Sequence, residues 1–259
     1  MALFRDLLYR VYERVLEREV LAAPLPQHVG LILDGNRRFA RSNGEDAASG
    51  HKLGADKMDE VLAWAEDLGI PTITAWILSI DNLDRPASEL APLIEIIEQK
   101  VSQLALAQAD MKFPRRIRGF GRLDLLSPST REALALAEER TAEHGPWALN
   151  FAVGYGGREE IADAVKLLLL DAARQGRSVE EAAAAVCPES ISRYLYTAEH
   201  SDPDLIIRTS GEVRLGGFML WQSVYSEFYF CDVYWPAFRR IDFLRAVRSY
   251  QDRHQRRGR

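Results

Sequence analysis

Cysteine is almost absent: Cys187 and Cys231 are the two in 259 residues. Neither sits in a C-x-x-C pair or a Cys/His ligand spacing, which excludes a disulfide scaffold and a structural zinc site and leaves buried free thiols as the expectation. No apolar run reaches the roughly 20 residues that span a bilayer, and the first residues, MALFRDLLYRVYERVLEREV, lack the uncharged core of a signal peptide. The expected location is the cytoplasm. A surplus of positive charge is also missing. With 33 Lys and Arg against 38 Asp and Glu, the net charge is −5. That excludes a chain holding nucleic acid or anionic lipid by bulk charge, and the basic residues are not interleaved with stacking aromatics. Any anion site must be a local cluster. G-x-x-x-x-G-K-[ST] does not occur, and no G-x-G-x-x-G follows a strand, which disfavours nucleotide phosphoryl transfer and a dinucleotide cofactor. Repeats, low-complexity tracts and linkers are absent too.

What is present is 47% apolar content over a length that suits one large domain, 1–259, with a large core. Residues 1–20 place Leu3, Leu7, Val11 and Val15 at helical spacing, an amphipathic helix. Packing on its own domain is the favoured reading, because Asp6, Glu13, Glu17 and Glu19 nearly balance its arginines; peripheral contact with a membrane surface is the weaker one. Apolar runs at 29–33 (VGLIL), 73–78 (ITAWIL), 148–153 (ALNFAV) and 204–208 (DLIIR), with a weaker one at 115–120 (RRIRGF), read as buried strands. Helical patterns lie at 54–68, 88–109, 129–144, 159–174 and 180–186, and residues 240–259 form a helix leading into a basic tip. The alternation predicts an α/β fold with a central, mainly parallel sheet flanked by helices. Ser88 and Ser178 are predicted caps, and Gly69 a helix C-terminus.

In an open parallel sheet, ligands gather at the carboxyl ends of the strands. Here those ends are polar. Asp34, Gly35, Asn36, Arg37 and Arg38 follow the first run; Ser79, Asp81, Asn82 and Arg85 the second; GYGGR (154–158) the third; Arg208, Thr209, Ser210, Glu212 and Arg214 the fourth. Glycine at 35 lets the backbone turn sharply, and a helix starting near Asn36 aims free N–H groups at an anion. Arginine forks match phosphate oxygens. One acid among such donors is best explained as the holder of a divalent cation, so Asp34, Mg²⁺ and the arginines together describe a diphosphate site. Arg208 and Arg214, with Glu227 downstream, form a second cluster, which suggests two phosphorylated substrates. GYGGR reads as a tight strand-to-helix turn. His51 is either a ligand-facing donor or a surface residue at a helix start, and His28 caps or packs.

Five segments, LPQHVGLILDGNRRFAR, HKLGADKM, LSIDNLDRPASEL, NFAVGYGGREEI and DLIIRTSGEVRLGGFMLWQSVYSEFYFCDVYWPAF, together resemble the cis-prenyltransferase (undecaprenyl diphosphate synthase) family across the chain. The D-G-N-x-R and I-R-T-[SG]-G-E-x-R motifs carry the likeness. The resemblance implies a homodimer that condenses an allylic diphosphate with isopentenyl diphosphate, forming a cis double bond with Mg²⁺. Carried over by position, Asp34 is the metal and diphosphate pivot. Gly35, Asn36, Arg37, Arg38, Phe39 and His51 surround the allylic diphosphate, and Arg41 becomes a surface residue. Ser79, Asn82, Arg85 and Glu89 lie beside the reacting carbons, with Asp34, Asn36, Ser79 and Asn82 as the catalytic set. Arg208, Arg214 and Gly216 grip isopentenyl diphosphate, Glu227 helps hold Mg²⁺, and the R-x-G element (Arg256, Arg257, Gly258) reaches into the partner subunit.

The chain departs from the family pattern at Asp81, where Glu is usual, at Ala47, where an arginine is usual, at Gly216, where serine is usual, and at Leu83, where Trp is common. Ile77 and Leu78 are expected along the product tunnel, and a branched residue at 77 would obstruct it. The chain most resembles the short-chain actinobacterial (2Z,6E)-farnesyl diphosphate synthases, which implies geranyl diphosphate as primer and a C15 product. Medium- or long-chain synthesis, irregular lavandulyl-type coupling and a non-catalytic partner subunit are the alternatives. Survival of the acid and of both arginine pairs argues against the last.

Overall fold

The computed structural model describes residues 2–108 and 111–257, side chains at 2–8, 10 and 254–257 excepted. Among these, helices α1 (Ala2–Leu21), α2 (Asn36–Ser42), α3 (Ala47–Leu68), α4 (Ala87–Ala107), α5 (Pro128–Thr141), α6 (Gly157–Arg174), α7 (Val179–Ala184), α8 (Pro188–Ser192) and α9 (Arg240–Arg257) surround one sheet. Its strands are β1 (His28–Ile32), β2 (Thr72–Ser79), β3 (Arg115–Phe120), β4 (Trp147–Tyr155), β5 (Leu205–Arg208) and β6 (Glu227–Phe230). They run in the order β3-β4-β2-β1-β5-β6, every pair parallel. The predicted α/β class holds, and β6 is an addition to the expected strands: EFYF is too short to announce itself by period.

Both faces of the sheet are covered, as a parallel sheet requires. Val29, Leu31, Leu205, Ile207, Leu149 and Phe151 face a large core that also holds Met58 and Leu62 of α3, Leu93 and Ile97 of α4, and Phe243 of α9. Their neighbours Ile32, Ile206 and Ala152 face a smaller core with Tyr155 and Phe218. The alternation by twos is the signature of strand geometry. Topology then sets the site. From β1 the chain moves to β2 on one side, and it later crosses to β5 on the other, so the sequence-distant ends of β2, β1 and β5 become neighbours, with Ile32 in register with both Trp76 and Arg208. Such a switch in strand order opens a crevice at the carboxyl edge.

Local chemistry sets the element ends. Ser178 forms a capping box with Glu181 at α7, and Gly69 closes α3 in the left-handed region. Ser88 is not a cap: Pro86 occupies that place at α4 and Ser88 falls within the first turn. His28 is fully buried, its Nδ1 2.6 Å from the Ser201 carbonyl and its Nε2 2.7 Å from Thr74 Oγ1. Burial drives its pKa down to about 4. The buried-thiol expectation holds for Cys231; Cys187 is exposed.

Helix α1 packs on α9, and its charges are fastened there, Arg240 reaching Glu17 at 2.5 Å and Glu13 at 3.4 Å. The buried residues, however, are Leu16 and Val20, whereas Val11 and Val15 stay exposed. The predicted stripe is thus shifted around the helix, because the face was set by where α9 lies; Leu3 and Leu7 are outside the described side chains. Among the described residues, no helix is long and apolar enough to cross a membrane.

Candidate active site

The crevice is a cavity of about 700 Å³ with a polar mouth and an apolar interior. Asp34, Arg37, Arg38, Arg41, His51, Ser79, Asp81, Asn82, Arg85, Arg208, Glu212 and Arg214 bring polar groups to it, and Met58, Ile77, Leu93, Ile97 and Val101 line its depth. A pocket of that size, apolar with convergent polar groups at one end, is the usual form of a small-ligand site.

Asp34 is the pivot. Its Oδ1 accepts from Arg38 Nη2 at 3.2 Å and its Oδ2 from Arg208 Nη2 at 3.0 Å. Its backbone is clamped: Thr209 Oγ1 donates to its carbonyl at 2.7 Å and accepts from its N–H at 3.1 Å, and the Trp235 N–H also reaches that carbonyl. Burial opposes ionisation of the carboxyl, but hydrogen bonds from Arg208 and Ser210 and the charges of Arg208 and Arg38 outweigh it, holding the group below the usual carboxylate range. Gly35, at φ 104°, makes the turn from β1 into α2; a side chain there would stand 2.7 Å from the Tyr234 ring.

Arg38 is shared among Asp34, Glu212 at 3.2 Å and Ser210 Oγ at 2.8 Å. Ser210 itself has φ 83°, a strained conformation for a residue other than glycine, and it aims the hydroxyl at Arg38. Arg208 is 6% exposed and donates from Nη1 to the Arg214 carbonyl at 2.5 Å. Gly216 permits that loop: it has φ 66°, and a Cβ would lie 3.0 Å from Arg208 Nη1. A serine there would be strained, so glycine serves the backbone geometry. The GYGGR turn supports the same loop from behind, Gly157 N–H donating to the Gly217 carbonyl at 2.8 Å.

On the other flank, Glu89 Oε1 bridges Arg37 and Arg85, each at 3.0 Å. Asn82 Nδ2 donates a short hydrogen bond to Ser79 Oγ. His51 lines the cavity, and burial, helped by Arg85 and Arg37, lowers its pKa to about 4, leaving a neutral imidazole. Among the described side chains, the few buried polar atoms without a partner include Asn36 Oδ1, His51 Nε2 and Arg208 Nε, all on cavity-lining residues. Buried polar groups are normally satisfied, and these three exceptions all belong to residues of the crevice.

Several expectations need correction. Glu227 does not join Asp34: it pairs with Leu205, the first residue of β5, at the amino edge of the sheet, and bonds Arg253 at 3.1 Å. Three strand steps, about 10 Å, separate it from Arg208 at the other edge, so one chain cannot hold a common ion between Glu227 and Asp34. Phe39 does not line the cavity, because at 100° per residue it projects from α2 nearly opposite the direction of Arg37, Arg38 and Arg41. Arg41, expected at the surface, is exposed and also lines the cavity mouth, and among the described residues it forms no ion pair with a carboxylate. Glu89 is a counter-ion behind the arginines rather than a cavity-lining residue. Leu78 is in the core at 1% exposure and does not line the cavity, whereas Ile77 does; a register shift against β4 at this point of β2 turns both toward the large core. The side chain of Arg256 lies outside the described residues.

The sequence reading passed over Trp76, which stacks on Phe218 beside Gly216. It also passed over the role of Met58, Leu93, Ile97 and Val101, whose spacings of three and four residues signalled buried helix faces without saying that those faces line a cavity. Thr209, Ser210 and Glu212 were noticed at the strand end, but their hold on Asp34 and Arg38 needs the fold.

A parallel sheet with an arginine-ringed carboxylate at the mouth of an apolar cavity defines an α/β enzyme site for a diphosphate carrying a hydrocarbon tail. Residues 32–258 match the family model of undecaprenyl diphosphate synthase, and the chain belongs to this prenyltransferase family. It is 51% identical over 259 residues to the isoprenyl transferase of Thermus thermophilus, covering 100% of this chain and 98% of that one. It is 52% identical to the (2Z,6E)-farnesyl diphosphate synthase of Thermobifida fusca, covering 100% of each. It is 45% identical to the tritrans,polycis-undecaprenyl-diphosphate synthase (geranylgeranyl-diphosphate specific) of Methanocaldococcus jannaschii, covering 96% of this chain and 88% of the relative. Among solved structures, lavandulyl diphosphate synthase from Lavandula x intermedia in complex with dimethylallyl diphosphate superimposes with a TM-score of 0.81 at 30% identity, covering 88% of this chain and 95% of that one.

Proposed function

We propose that the protein condenses isopentenyl diphosphate with geranyl diphosphate to give (2Z,6E)-farnesyl diphosphate and free diphosphate. The observation that carries this reading is Asp34 held between Arg38 and Arg208 at the mouth of an apolar cavity. The names of relatives cover short, long and irregular products, at 52%, 45% and 30% identity, so the cavity must discriminate. Ile77 on its wall and a volume of about 700 Å³, within the range that accommodates drug-sized ligands, support a short product.

In this reading Arg37, Arg38 and Arg41 on α2, with His51 and Arg85, bind the allylic diphosphate, and Arg208 and Arg214 bind isopentenyl diphosphate; their shared lining of one cavity supports it. The tail enters between α3 and α4. As the allylic C–O bond breaks, guanidinium donors already aimed at the leaving oxygens stabilise the developing charge. The isopentenyl double bond attacks the electron-poor allylic carbon, a C–C bond forms, and a proton leaves the adjacent carbon. His51, neutral, adds no positive charge of its own to the site. The apolar walls exclude water that would otherwise capture it.

A magnesium ion bound through a single protein carboxylate belongs to the same proposal. Among the described residues no group of three His, Cys, Asp or Glu could hold a cation, whereas Mg²⁺ is commonly bound through one or two carboxylates, substrate phosphates and water. Asp34 would hold it, and the ion would supply Lewis-acid stabilisation of the leaving diphosphate. Exposed Tyr225 (82%) and Val224 (68%) beside edge strand β6 support homodimerisation, which light scattering tests.

The deciding assay incubates enzyme with geranyl diphosphate and radiolabelled isopentenyl diphosphate and separates products by chain length. A single C15 band is expected; a C50 or C55 ladder overturns the short-chain reading. Coupling of two dimethylallyl units without isopentenyl diphosphate would establish the irregular reaction instead.

A further inference from the structure

Lys100 is the anomaly of the apolar cavity wall. It lies on α4 one turn beyond Ile96 and Ile97 and two beyond Leu93, is only 9% exposed, and lines the cavity. Its ammonium reaches across to α3, with Nζ 2.9 Å from Asp59 and 3.7 Å from Asp56. Those acids are flanked by Ala55 and Met58, which face the cavity from α3. His51, at the polar mouth, is eight residues from Asp59, about 12 Å along the helix. The ion pair therefore joins the two helices that wall the hydrocarbon path, and it does so at the end away from the diphosphate.

We propose that Lys100, clasped to Asp59 and Asp56, is the distal stop of the product channel and a chain-length determinant of this enzyme. The inference rests on the prenyl-transfer reading above and deepens it. An apolar wall yields to a growing tail, because rotamers shift and one hydrocarbon contact replaces another. A lysine held by two carboxylates does not yield in that way. To pass it, the tail must separate the charges and leave the ammonium facing hydrocarbon, where nothing replaces the lost partner. Ile77 narrows the path from the sheet side; the clasp terminates it from the helix side. The stop is thus electrostatic as well as steric.

The test compares product length for wild type, Lys100→Ala and the double variant Asp56→Asn/Asp59→Asn under limiting primer and excess isopentenyl diphosphate. Both acids are substantially exposed, so their loss leaves little buried damage, and thermal unfolding verifies the fold of each variant. The expected result is C15 from wild type and a shift by one or more isoprene units in both variants, since each breaks the clasp from a different side. A wild-type C15 product that stays C15 in Lys100→Ala overturns the clasp while leaving the prenyl-transfer reading standing. Lengthening in Lys100→Ala alone also overturns it, by assigning the stop to side-chain bulk. A wild type that itself makes long chains overturns the short-chain reading, and the stop with it.

Discussion

Asp34 is partly open to solvent and its carboxylate is held by charged groups, so its replacement tests chemistry rather than packing. Asp34→Ala is expected to lower kcat by roughly 100- to 1,000-fold, the scale of losing one preorganised electrostatic group, with little change in the thermal unfolding midpoint; unaltered turnover in a steady-state assay would refute its role. Arg41 makes a separate case. It faces the cavity without a carboxylate partner among the described residues, whereas Arg37 and Arg38 are tied to Glu89 and Glu212. Arg41→Ala is expected to raise KM for the allylic diphosphate about tenfold, the worth of one hydrogen bond to a charged group, with KM for isopentenyl diphosphate unchanged. At this scale the sequence was most informative. DGNRR announced its chemistry because a carboxylate among arginines after an apolar run has few other uses. Arg41 was legible as a surface residue, but its place at the cavity mouth depends on how α2 docks.

Elements converge on the site through glycines. Helix α2 lies against α3 at Gly50 and Gly54, one turn apart; a Cβ at Gly50 would sit 2.3 Å from the Asn36 carbonyl, and one at Gly54 2.4 Å from Asn36 Oδ1. Trp235 reinforces the contact, its Nε1 donating to the Gly54 carbonyl at 2.7 Å. Gly54→Ala must therefore push α2, and with it Arg37 and Arg38, away from α3. It is expected to cost about 1–3 kcal/mol of stability, as overpacking does, together with a loss of kcat. Chemical denaturation and single-turnover kinetics check the two parts. Predicted helices agreed with observed ones where period and cap coincided, as at α7 with its capping box. They disagreed where one signal stood alone, as at Ser88, or where the run was too short, as at β6.

Across the whole molecule, burial sets the response to acid. His28, His51 and His200 are each held near about 4, against an ordinary value of 6.5, first of all by desolvation. As pH falls below 6.5 the unfolded chain takes up protons that the folded chain refuses until about pH 4, so the folded state loses stability across that window. The slope is up to about 1.4 kcal/mol per pH unit for each histidine. The unfolding midpoint is expected to drop between pH 7 and 4.5, and His28→Gln, whatever it does to stability at neutral pH, should flatten that dependence; an unchanged slope would remove His28 from the account. What the sequence by itself determined is the alternation of strands and helices, hence a parallel sheet, and the polar strand ends, hence a diphosphate site, because both are written in local order and period. Only the tertiary structure decided the rest: strand order put Arg208 beside Asp34 and Glu227 at the opposite edge, a register shift turned both Ile77 and Leu78 toward the large core with only Ile77 reaching the cavity, and the packing of α3 on α4 set a lysine at the cavity's far end. Each of those depends on residues far apart in the chain, whose meeting is fixed by packing and register and leaves no mark in local sequence.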